Sequence, residues 1–233
     1  MKIALLMNHN SYPGREYLLS LKKANISVDV LLIGQYPIIN KLEEDRCGGL
    51  WNPPPLDNIL TDISHFHFDT LKSQRLINHL SQANYDIGIQ GGTGIIKNSV
   101  ISLFKIGILN FHPGDLPLYR GCSAPEWQLV EGRPIVCTCH LIDEGIDSGS
   151  ILSKKVLSPI LNSYFSFRST IYPEIAKFIV EILLKYLKYP ELIRSHFAKQ
   201  DNSKAVYRKY IGDEMIQMIK NHFNKFSKSY EQL

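Results

Sequence analysis

A mostly apolar run that ends abruptly in a polar loop constrains the fold of this chain more than any other feature. Residues 106–111 lead directly into His112, Pro113 and Gly114. The run predicts a buried strand that stops at His112, because a proline disfavours the helical conformation in the residue before it. Side chains alternate along a strand, so Asn110 and His112 are expected on one face, at the carboxyl edge where α/β folds bind ligands.

A second polar feature is the acidic, glycine-rich turn between two further predicted strands, residues 134–142 and 150–156. In its sequence, DEGIDSG, Gly145 and Gly149 permit backbone conformations that are closed to other residues. Asp147 can therefore be presented on a tight loop instead of being buried in a strand. We expect its carboxylate to reach the imidazole at the end of the first strand.

The segment from Asn110 to Trp127, together with this turn, resembles the folate-dependent formyltransferases. That family includes glycinamide ribonucleotide transformylase, the catalytic domain of methionyl-tRNA formyltransferase and the sugar N-formyltransferases. The resemblance is clearest over residues 86–152. It implies that Asn110, His112 and Asp147 are the catalytic residues and that 10-formyltetrahydrofolate donates the formyl group. No metal is expected.

Formyl transfer to an amine requires hydrogen-bond donors for a tetrahedral oxyanion and a group that accepts the proton of the amine. Under the resemblance, Asn110 and His112 supply the two donors. Asp147 is expected to favour the charged form of His112, to orient it, and to receive the amine proton directly or through water. Without the resemblance, a buried structural pair of His112 and Asp147 is the better interpretation.

The loop after the first strand concerns the substrate. Gly114 and Asp115 depart from the serine and leucine that much of the family has there, and this difference falls on the substrate side. Tyr119 and Arg120 are candidate substrate-binding residues. An arginine near a cleft suits an anionic substrate, but it can equally cap main-chain carbonyls. Ser123 is a predicted N-cap of the next helix.

The loop after a predicted strand at residues 85–90 is rich in glycine, which lets a flat ligand approach the backbone. A tight turn before a helix at residues 99–104 explains the same pattern equally well. In the family, the main chain of this loop binds the pterin, so the resemblance favours the binding role. The implied folate-binding residues in this loop and the acidic turn are Thr93, Gly94, Ile95, Ile96, Asp143 and Gly145.

The start of the chain has a β-α-β pattern, with a strand at residues 2–7, a helix at 14–24 and a strand at 28–33. Residues 38–57, with their glycine and proline clusters, are expected to form an irregular surface segment that borders a ligand site. An apolar stripe that begins at Ile175 predicts a helix packed on the sheet.

The expected architecture is a Rossmann-like α/β fold, a mostly parallel sheet flanked by helices. Residues 1–190 are expected to form the catalytic domain and residues 191–233 a small C-terminal appendage. The 233-residue chain is 44% hydrophobic, which is ordinary for a globular protein. Four cysteines without a pairing pattern, no apolar run of roughly 18 residues and no signal peptide indicate a cytoplasmic protein.

Two other classes of function stay open. A metal-dependent hydrolase could use His112, His140, Asp143 and Asp147, although His140 is expected to face the core. The alternating histidines in residues 65–67 have no third ligand with metal spacing nearby. A non-catalytic binding module would keep the glycine-rich loop without needing the catalytic residues.

Within the family, a small acceptor is favoured, because methionyl-tRNA formyltransferases carry a further domain for which this chain has little room. We predict an amino sugar linked to a nucleotide, whose phosphates suit the net charge of +4. Formylation of glycinamide ribonucleotide or methionyl-tRNA and hydrolysis of formyltetrahydrofolate are the alternatives. Neither nucleic acid nor a membrane is expected as a partner, and a homodimer is left open.

Overall fold

The computed structural model describes residues 1–34 and 45–231. The main elements of the first half are β1 (Ile3–Met7), α1 (Tyr12–Lys23), β2 (Asp29–Ile33), α2 (Leu56–Ile59), β3 (His65–Phe68), α3 (Gln74–Ala83), β4 (Ile87–Gln90) and α4 (Asn98–Ile101). Those of the second half are β5 (Gly107–His112), β6 (Arg120–Gly121), α5 (Ala124–Val130), β7 (Val136–Leu141), β8 (Ile151–Val156), α6 (Tyr164–Lys188), β9 (Tyr207–Arg208), α7 (Asp213–Asn221) and α8 (Phe223–Glu231).

The centre of the protein is a seven-stranded sheet with the strand order β3-β2-β1-β4-β5-β7-β8. Strands β1 to β5 pair in parallel, whereas β7 is antiparallel to both β5 and β8. Strands β6 and β9 form a separate two-stranded sheet. The prediction of a Rossmann-like, mostly parallel sheet flanked by helices is confirmed.

Both faces of the sheet are covered, and β1 shows why its strands are apolar throughout. On one face, Leu5 and Met7 join a core cluster that includes residues of α1 and α6. On the other face, Ala4 and Leu6 join a cluster with residues of α3 and α4. Each large apolar side chain buried in this way contributes roughly 1.5–3 kcal/mol. The two layers hold the carboxyl ends of β1, β4 and β5 along one edge.

Helix α6 begins well before the apolar stripe that starts at Ile175. Its first turn is capped by Ser163, whose hydroxyl accepts a hydrogen bond from Ser166 N. Pro173 lies inside the helix, where a proline removes a main-chain hydrogen bond, so the sequence pattern did not indicate a helix across it. The stripe is buried as predicted except at its end, where Leu187 is 37% exposed.

The segment predicted at residues 38–57 lies partly outside the described residues. In the described part, Cys47 and Trp51 are buried, so the prediction of a surface segment is wrong for them. The Trp51 ring stacks on Tyr172 of α6 at 5.1 Å and meets Tyr12 of α1 edge-on at 5.5 Å. These aromatic contacts attach the segment to both helices.

The chain after residue 190 packs against the preceding part of the protein. Strand β9 pairs with β6, and Ala198 forms a β-bridge with Ile151 at the start of β8. Apolar residues of this segment enter the same core cluster as α6, namely Ile193, Ile211, Ile216, Ile219 and Phe223. A domain boundary at residue 190 stays a prediction.

Helix α5 receives part of this C-terminal segment. Ser123 occupies its N-cap position, as predicted, but the Ser123 hydroxyl makes no cap hydrogen bond because its φ of 53° is left-handed. The hydroxyl instead accepts a 3.4 Å hydrogen bond from Ile211 N. Trp127 Nε1 donates to Lys209 O at 3.0 Å. Both contacts tie the loop after β5 to the end of the chain.

Among the described residues, no helix combines the length and apolar character needed to cross a membrane. The cysteines are free, with Cys122 exposed and Cys47, Cys137 and Cys139 buried. Burial raises the pKa of the Cys137 and Cys139 thiols, so neither is prepared to act as a nucleophile.

Candidate active site

Polar side chains from two neighbouring strands share one face of the sheet at the end of β5. Asn110 pairs with His140 of β7, and His112 pairs with Thr138. Directly opposed residues of antiparallel strands lie on the same face. The expectation that His140 faces the apolar core is therefore wrong, because the core-facing residues of β7 alternate with it and include Cys139.

Asp147 reaches this face from the turn between β7 and β8. Its Oδ2 lies 3.5 Å from His112 Nδ1, and its Oδ1 lies 3.5 Å from Asn110 Nδ2. Gly121 N donates a 2.8 Å hydrogen bond to Oδ2. The carboxylate thus reaches the imidazole, as expected from the sequence, and the three predicted catalytic residues lie together.

The backbone of the turn differs from the sequence-based expectation. Asp147 itself adopts the left-handed conformation, with a φ of 50°, which is uncommon outside glycine. Gly145 and Gly149 do not have positive φ. They are needed because of close packing, since a Cβ at Gly149 would overlap the carbonyl oxygen of Leu141.

Asp147 is negatively charged at physiological pH. Burial on its own raises the pKa of a carboxyl group, but the imidazoles of His140 and His112 and the Gly121 N–H lower the pKa of Asp147 to about 2. Its side chain is only 14% exposed. The site therefore holds a shielded carboxylate that can accept hydrogen bonds and protons.

Both ring nitrogens of His112 face protein atoms. Nε2 donates a 2.6 Å hydrogen bond to Tyr119 O, and a carbonyl can only accept, so a proton is fixed on Nε2. A second proton can bind only at Nδ1, opposite Asp147. Burial lowers the pKa of His112. The charge of Asp147 raises the pKa of His112, but it offsets only part of the effect of burial. Asp147 does favour the charged imidazole, as expected, but burial favours the neutral form more strongly.

His140, which the sequence analysis did not assign to the formyltransferase site, orients Asn110. Its Nδ1 donates to Leu141 O at 2.7 Å, so the neutral ring has its lone pair on Nε2. Nε2 then accepts a 3.2 Å hydrogen bond from Asn110 Nδ2. The other N–H of this amide faces Asp147 at 3.5 Å, the long limit of a hydrogen bond. A ligand oxygen can therefore replace Asp147 as the acceptor of this N–H at little cost.

Tyr119 and Arg120, the predicted substrate-binding residues, use their polar groups within the protein. The Tyr119 hydroxyl donates to Glu131 at 2.7 Å. The Arg120 guanidinium is 2% exposed and donates to Gln200 Oε1 and to Asn202 Oδ1, each at 2.7 Å. The structure therefore favours the structural alternative over direct contact with an anionic substrate.

Gln200 supports the turn that carries Asp147. Its Nε2 donates to Asp147 O and to Gly149 O, both at 2.8 Å, while its Oε1 accepts from Arg120. The C-terminal segment thus holds the backbone on either side of the turn. No sequence signal indicated this contact, because Gln200 follows Asp147 by 53 residues and lies in no regular element.

The glycine-rich loop after β4 lies at the same edge of the sheet. Gln90 organises it, because its Nε2 donates to Gly94 O and its Oε1 accepts from Thr93 N. Ile95 is exposed, whereas the Ile96 side chain is buried in the second core cluster. Of the predicted folate-binding residues, Ile96 can therefore contact a ligand only through its main chain.

The two folate-binding positions predicted in the acidic turn are also exposed. Asp143 Oδ1 accepts hydrogen bonds from Gly145 N at 3.1 Å and from the Ser148 hydroxyl at 2.6 Å. These bonds give the turn its shape. The outer edge of the turn, formed by Asp143 and Gly145, stays open to a ligand.

The structure does not support the metal-binding alternative. In the described part of the chain, no group of three or more histidine, cysteine, aspartate or glutamate residues is placed to hold a metal ion. His65 and His67 lie on the edge strand β3, with their rings 5.6 Å apart. Asp143, a member of the proposed hydrolase set, points into its own turn.

Sequence comparison finds relatives that are named methionyl-tRNA formyltransferases. The methionyl-tRNA formyltransferase of Chloroflexus aggregans is 26% identical over 206 residues, which cover 81% of this chain and 62% of that protein. The methionyl-tRNA formyltransferase of Rickettsia canadensis is 34% identical over 88 residues, or 37% of this chain and 29% of that protein. The chain spans less than two thirds of the length of these curated relatives.

Solved structures share the fold. A sugar N-formyltransferase from Shewanella sp. FDAARGOS_354 has a TM-score of 0.57 and 19% identity, covering 89% of this chain and 76% of that chain. A formyltransferase from Anoxybacillus kamchatkensis, in complex with UDP-4,6-dideoxy-4-formamido-L-AltNAc and tetrahydrofolate, has a TM-score of 0.52 and 21% identity, covering 87% and 97%. The formyl transferase family model matches residues 1–165 of this chain, which include Asn110, His112 and Asp147. The chain therefore belongs to the formyl transferase family.

Proposed function

We propose that this chain transfers a formyl group from 10-formyltetrahydrofolate to the amine of a nucleotide-linked amino sugar. The observation that carries the proposal is the convergence of Asn110, His112 and Asp147 at the end of β5. An amide donor beside a carboxylate that stays charged supplies the two groups that this reaction needs. Membership of the formyl transferase family supports the same chemistry.

The proposed reaction begins when the lone pair of the amine attacks the formyl carbon. A carbon–nitrogen bond forms, and the formyl oxygen becomes an oxyanion. The oxyanion replaces Asp147 as the acceptor of the second Asn110 N–H, while the bond from Asn110 to His140 stays in place. By analogy with measured oxyanion holes, one such donor stabilises the transition state by roughly 3 kcal/mol.

Asp147 and His112 handle the proton. The amine nitrogen becomes positively charged as it bonds to the formyl carbon, and Asp147 takes its proton directly or through water. His112 Nδ1, 3.5 Å from the carboxylate, is the next proton-binding atom. The same proton is then available for the folate nitrogen, which leaves as its bond to the formyl carbon breaks. The products are a formamide and tetrahydrofolate.

The folate is proposed to lie against the glycine-rich loop and the outer edge of the acidic turn. Gly94 and Ile95 are exposed, and a Cβ added at Gly94 would meet no atom within 4 Å, so the main chain is open to a flat ring. Thr93 and Ile96 contribute main-chain atoms. Asp143 and Gly145 are the proposed contacts in the acidic turn, where both residues are exposed.

The choice of acceptor is supported by two neighbours with the same fold. One is named a sugar N-formyltransferase, and the other was solved with a UDP-linked formamido sugar. Tyr119 and Arg120 are not proposed as sugar ligands, because both are bonded within the protein. Methionyl-tRNA is the second candidate acceptor, since the curated relatives are named methionyl-tRNA formyltransferases.

The test offers 10-formyltetrahydrofolate with nucleotide-linked amino sugars, free amino sugars, glycinamide ribonucleotide and methionyl-tRNA in parallel. Formylated product is measured by mass spectrometry. Formate release without any amine measures hydrolysis of the donor. We expect turnover with a nucleotide-linked amino sugar and loss of that turnover in Asp147→Asn. Turnover with methionyl-tRNA alone, at a rate that falls steeply with salt, would contradict the sugar acceptor and identify methionyl-tRNA as the acceptor.

A further inference from the structure

A second polar cluster lies next to the active site and takes no part in the proposed chemistry. It lines a cavity of about 300 Å³ that borders His112 and Gly121. Arg46 and Arg168 form part of its wall, and we call it the arginine pocket. Because His112 belongs to the same wall, a molecule that fills the pocket lies beside the proposed catalytic residues.

Two arginines and one glutamate are buried together in the arginine pocket. Arg46, Arg168 and Glu126 are 7%, 2% and 0% exposed. Arg46 Nη1 lies 3.3 Å from Glu126 Oε1, and Arg168 Nε lies 3.4 Å from the same oxygen. The Tyr164 hydroxyl also donates to it, at 3.0 Å. Two buried guanidinium groups therefore lie next to the same oxygen of one carboxylate.

Several buried atoms of the cluster have no hydrogen-bond partner in residues 1–34 and 45–231. They include Arg46 Nε, Arg46 Nη2 and Glu126 Oε2. A buried N–H of a charged group costs free energy when no acceptor reaches it. The arginine pocket thus offers a ligand two donors on one guanidinium and one carboxylate acceptor.

Aromatic rings keep the guanidinium groups in position. The Arg46 guanidinium lies over the Tyr210 ring, 5.1 Å from its centroid, and Arg168 lies 5.7 Å from the centroid of Tyr172. Tyr210 comes from the C-terminal segment, which therefore completes the wall of the pocket. The flat guanidinium of Arg46 is held in a fixed plane, as bidentate binding of an anion requires.

We infer that the arginine pocket binds the phosphorylated sugar portion of the acceptor. Arg46 donates its two unused N–H groups to phosphate oxygens, and Glu126 Oε2 accepts a hydrogen bond from a sugar hydroxyl. A sugar phosphate carries both groups close together, whereas a simple anion carries only the first. The inference rests on the proposed function, because it names the class of acceptor at that same site.

The test measures binding, so it does not depend on whether formyl transfer occurs. UDP, dTDP and uridine are titrated by calorimetry into the wild type, Arg46→Gln and Arg75→Gln. Arg75 lies on α3, outside the pocket, so its variant controls for the loss of one charge. UDP and dTDP should bind the wild type and Arg75→Gln equally, and Arg46→Gln at least about tenfold more weakly. Uridine, which has no phosphate, should not distinguish the variants.

Arg46→Lys covers the case in which Arg46→Gln does not fold, because it keeps a positive charge opposite Glu126. It loses the planar pair of N–H groups, so UDP binding should still weaken. Equal UDP binding by the wild type and the folded Arg46 variants, or no UDP binding by the wild type, overturns the inference. Arginine-dependent UDP binding without formyl transfer to any nucleotide-linked amino sugar would instead overturn the proposed function alone.

Discussion

Gly121 N and Asp147 Oδ2 form a 2.8 Å hydrogen bond that joins the loop after β5 to the turn before β8. Gly121 has a φ of 95°, and a Cβ at this position would overlap the carbonyl oxygen of Arg208 in β9. The bond therefore depends on a glycine that both the backbone conformation and the neighbouring strand require. Strand β9 thus lies directly against the residue that donates to the Asp147 carboxylate.

Gly121→Ala is expected to lower both activity and stability. Alanine in the left-handed region costs about 1–2 kcal/mol, and the overlap with Arg208 adds to this cost. The free energy of unfolding in urea and kcat should be measured together. For stability, Gly94→Ala is the matched control, since Gly94 also has positive φ but an added Cβ meets nothing within 4 Å. Equal losses of stability in the two variants would show that the contact with Arg208 is unimportant.

The low pKa of Asp147 predicts how stability depends on pH. The pKa is lowered from 3.8 to about 2 in the folded protein, so the unfolded chain takes up the proton first as the pH falls. The resulting stabilisation, about 2 kcal/mol, is complete above about pH 4 and is lost as the pH falls towards 2. Unfolding of the wild type and Asp147→Asn should be compared across this range. The wild type should lose more stability, and parallel curves would contradict the ionic contacts of Asp147.

The central part of the site could be predicted because its signals are local. The apolar run of β5 and Pro113 fix where the strand stops, and alternation along the strand places Asn110 and His112 on one face. The face of His140 could not be read with the same certainty. Strand β7 is buried on both sides, so its polar face is known only once its register with β5 is known.

The rest of the site depends on contacts between distant parts of the chain. Gln200 lies in an irregular polar segment, and its bonds to the Asp147 turn leave no periodic pattern in the sequence. Glu126 lies in the first turn of α5, where an acidic residue is favourable without any buried partner. Its burial follows from Arg46 and Arg168, which approach from elements 80 and 42 residues away in sequence (126 − 46 and 168 − 126). Such pairs become visible only in the folded protein.

His112→Ala is expected to lower kcat by roughly hundredfold or more, as removal of a catalytic hydrogen-bonding or proton-transferring group commonly does. Some stability should also be lost, because the variant leaves Tyr119 O without its donor. His79→Ala is a suitable control, since it removes a part-buried histidine that bonds Tyr85 on the other side of the sheet. Melting temperature and kcat should be measured for both. A fall in kcat of less than about tenfold would argue against a catalytic role for His112.

Gln200 is expected to act as a positioning residue for Asp147. Gln200→Met removes the donors to Asp147 O and Gly149 O but leaves Arg120 bonded to Asn202. Because displacement of a catalytic group by about 1 Å can cost up to about hundredfold, kcat should fall by roughly tenfold to hundredfold while KM changes little. Asn202→Ala, which removes a different partner of Arg120, should retain nearly full kcat. Steady-state kinetics of the two variants, with melting temperatures in parallel, separate the roles, since a purely structural Gln200 would leave kcat of the folded variant unchanged.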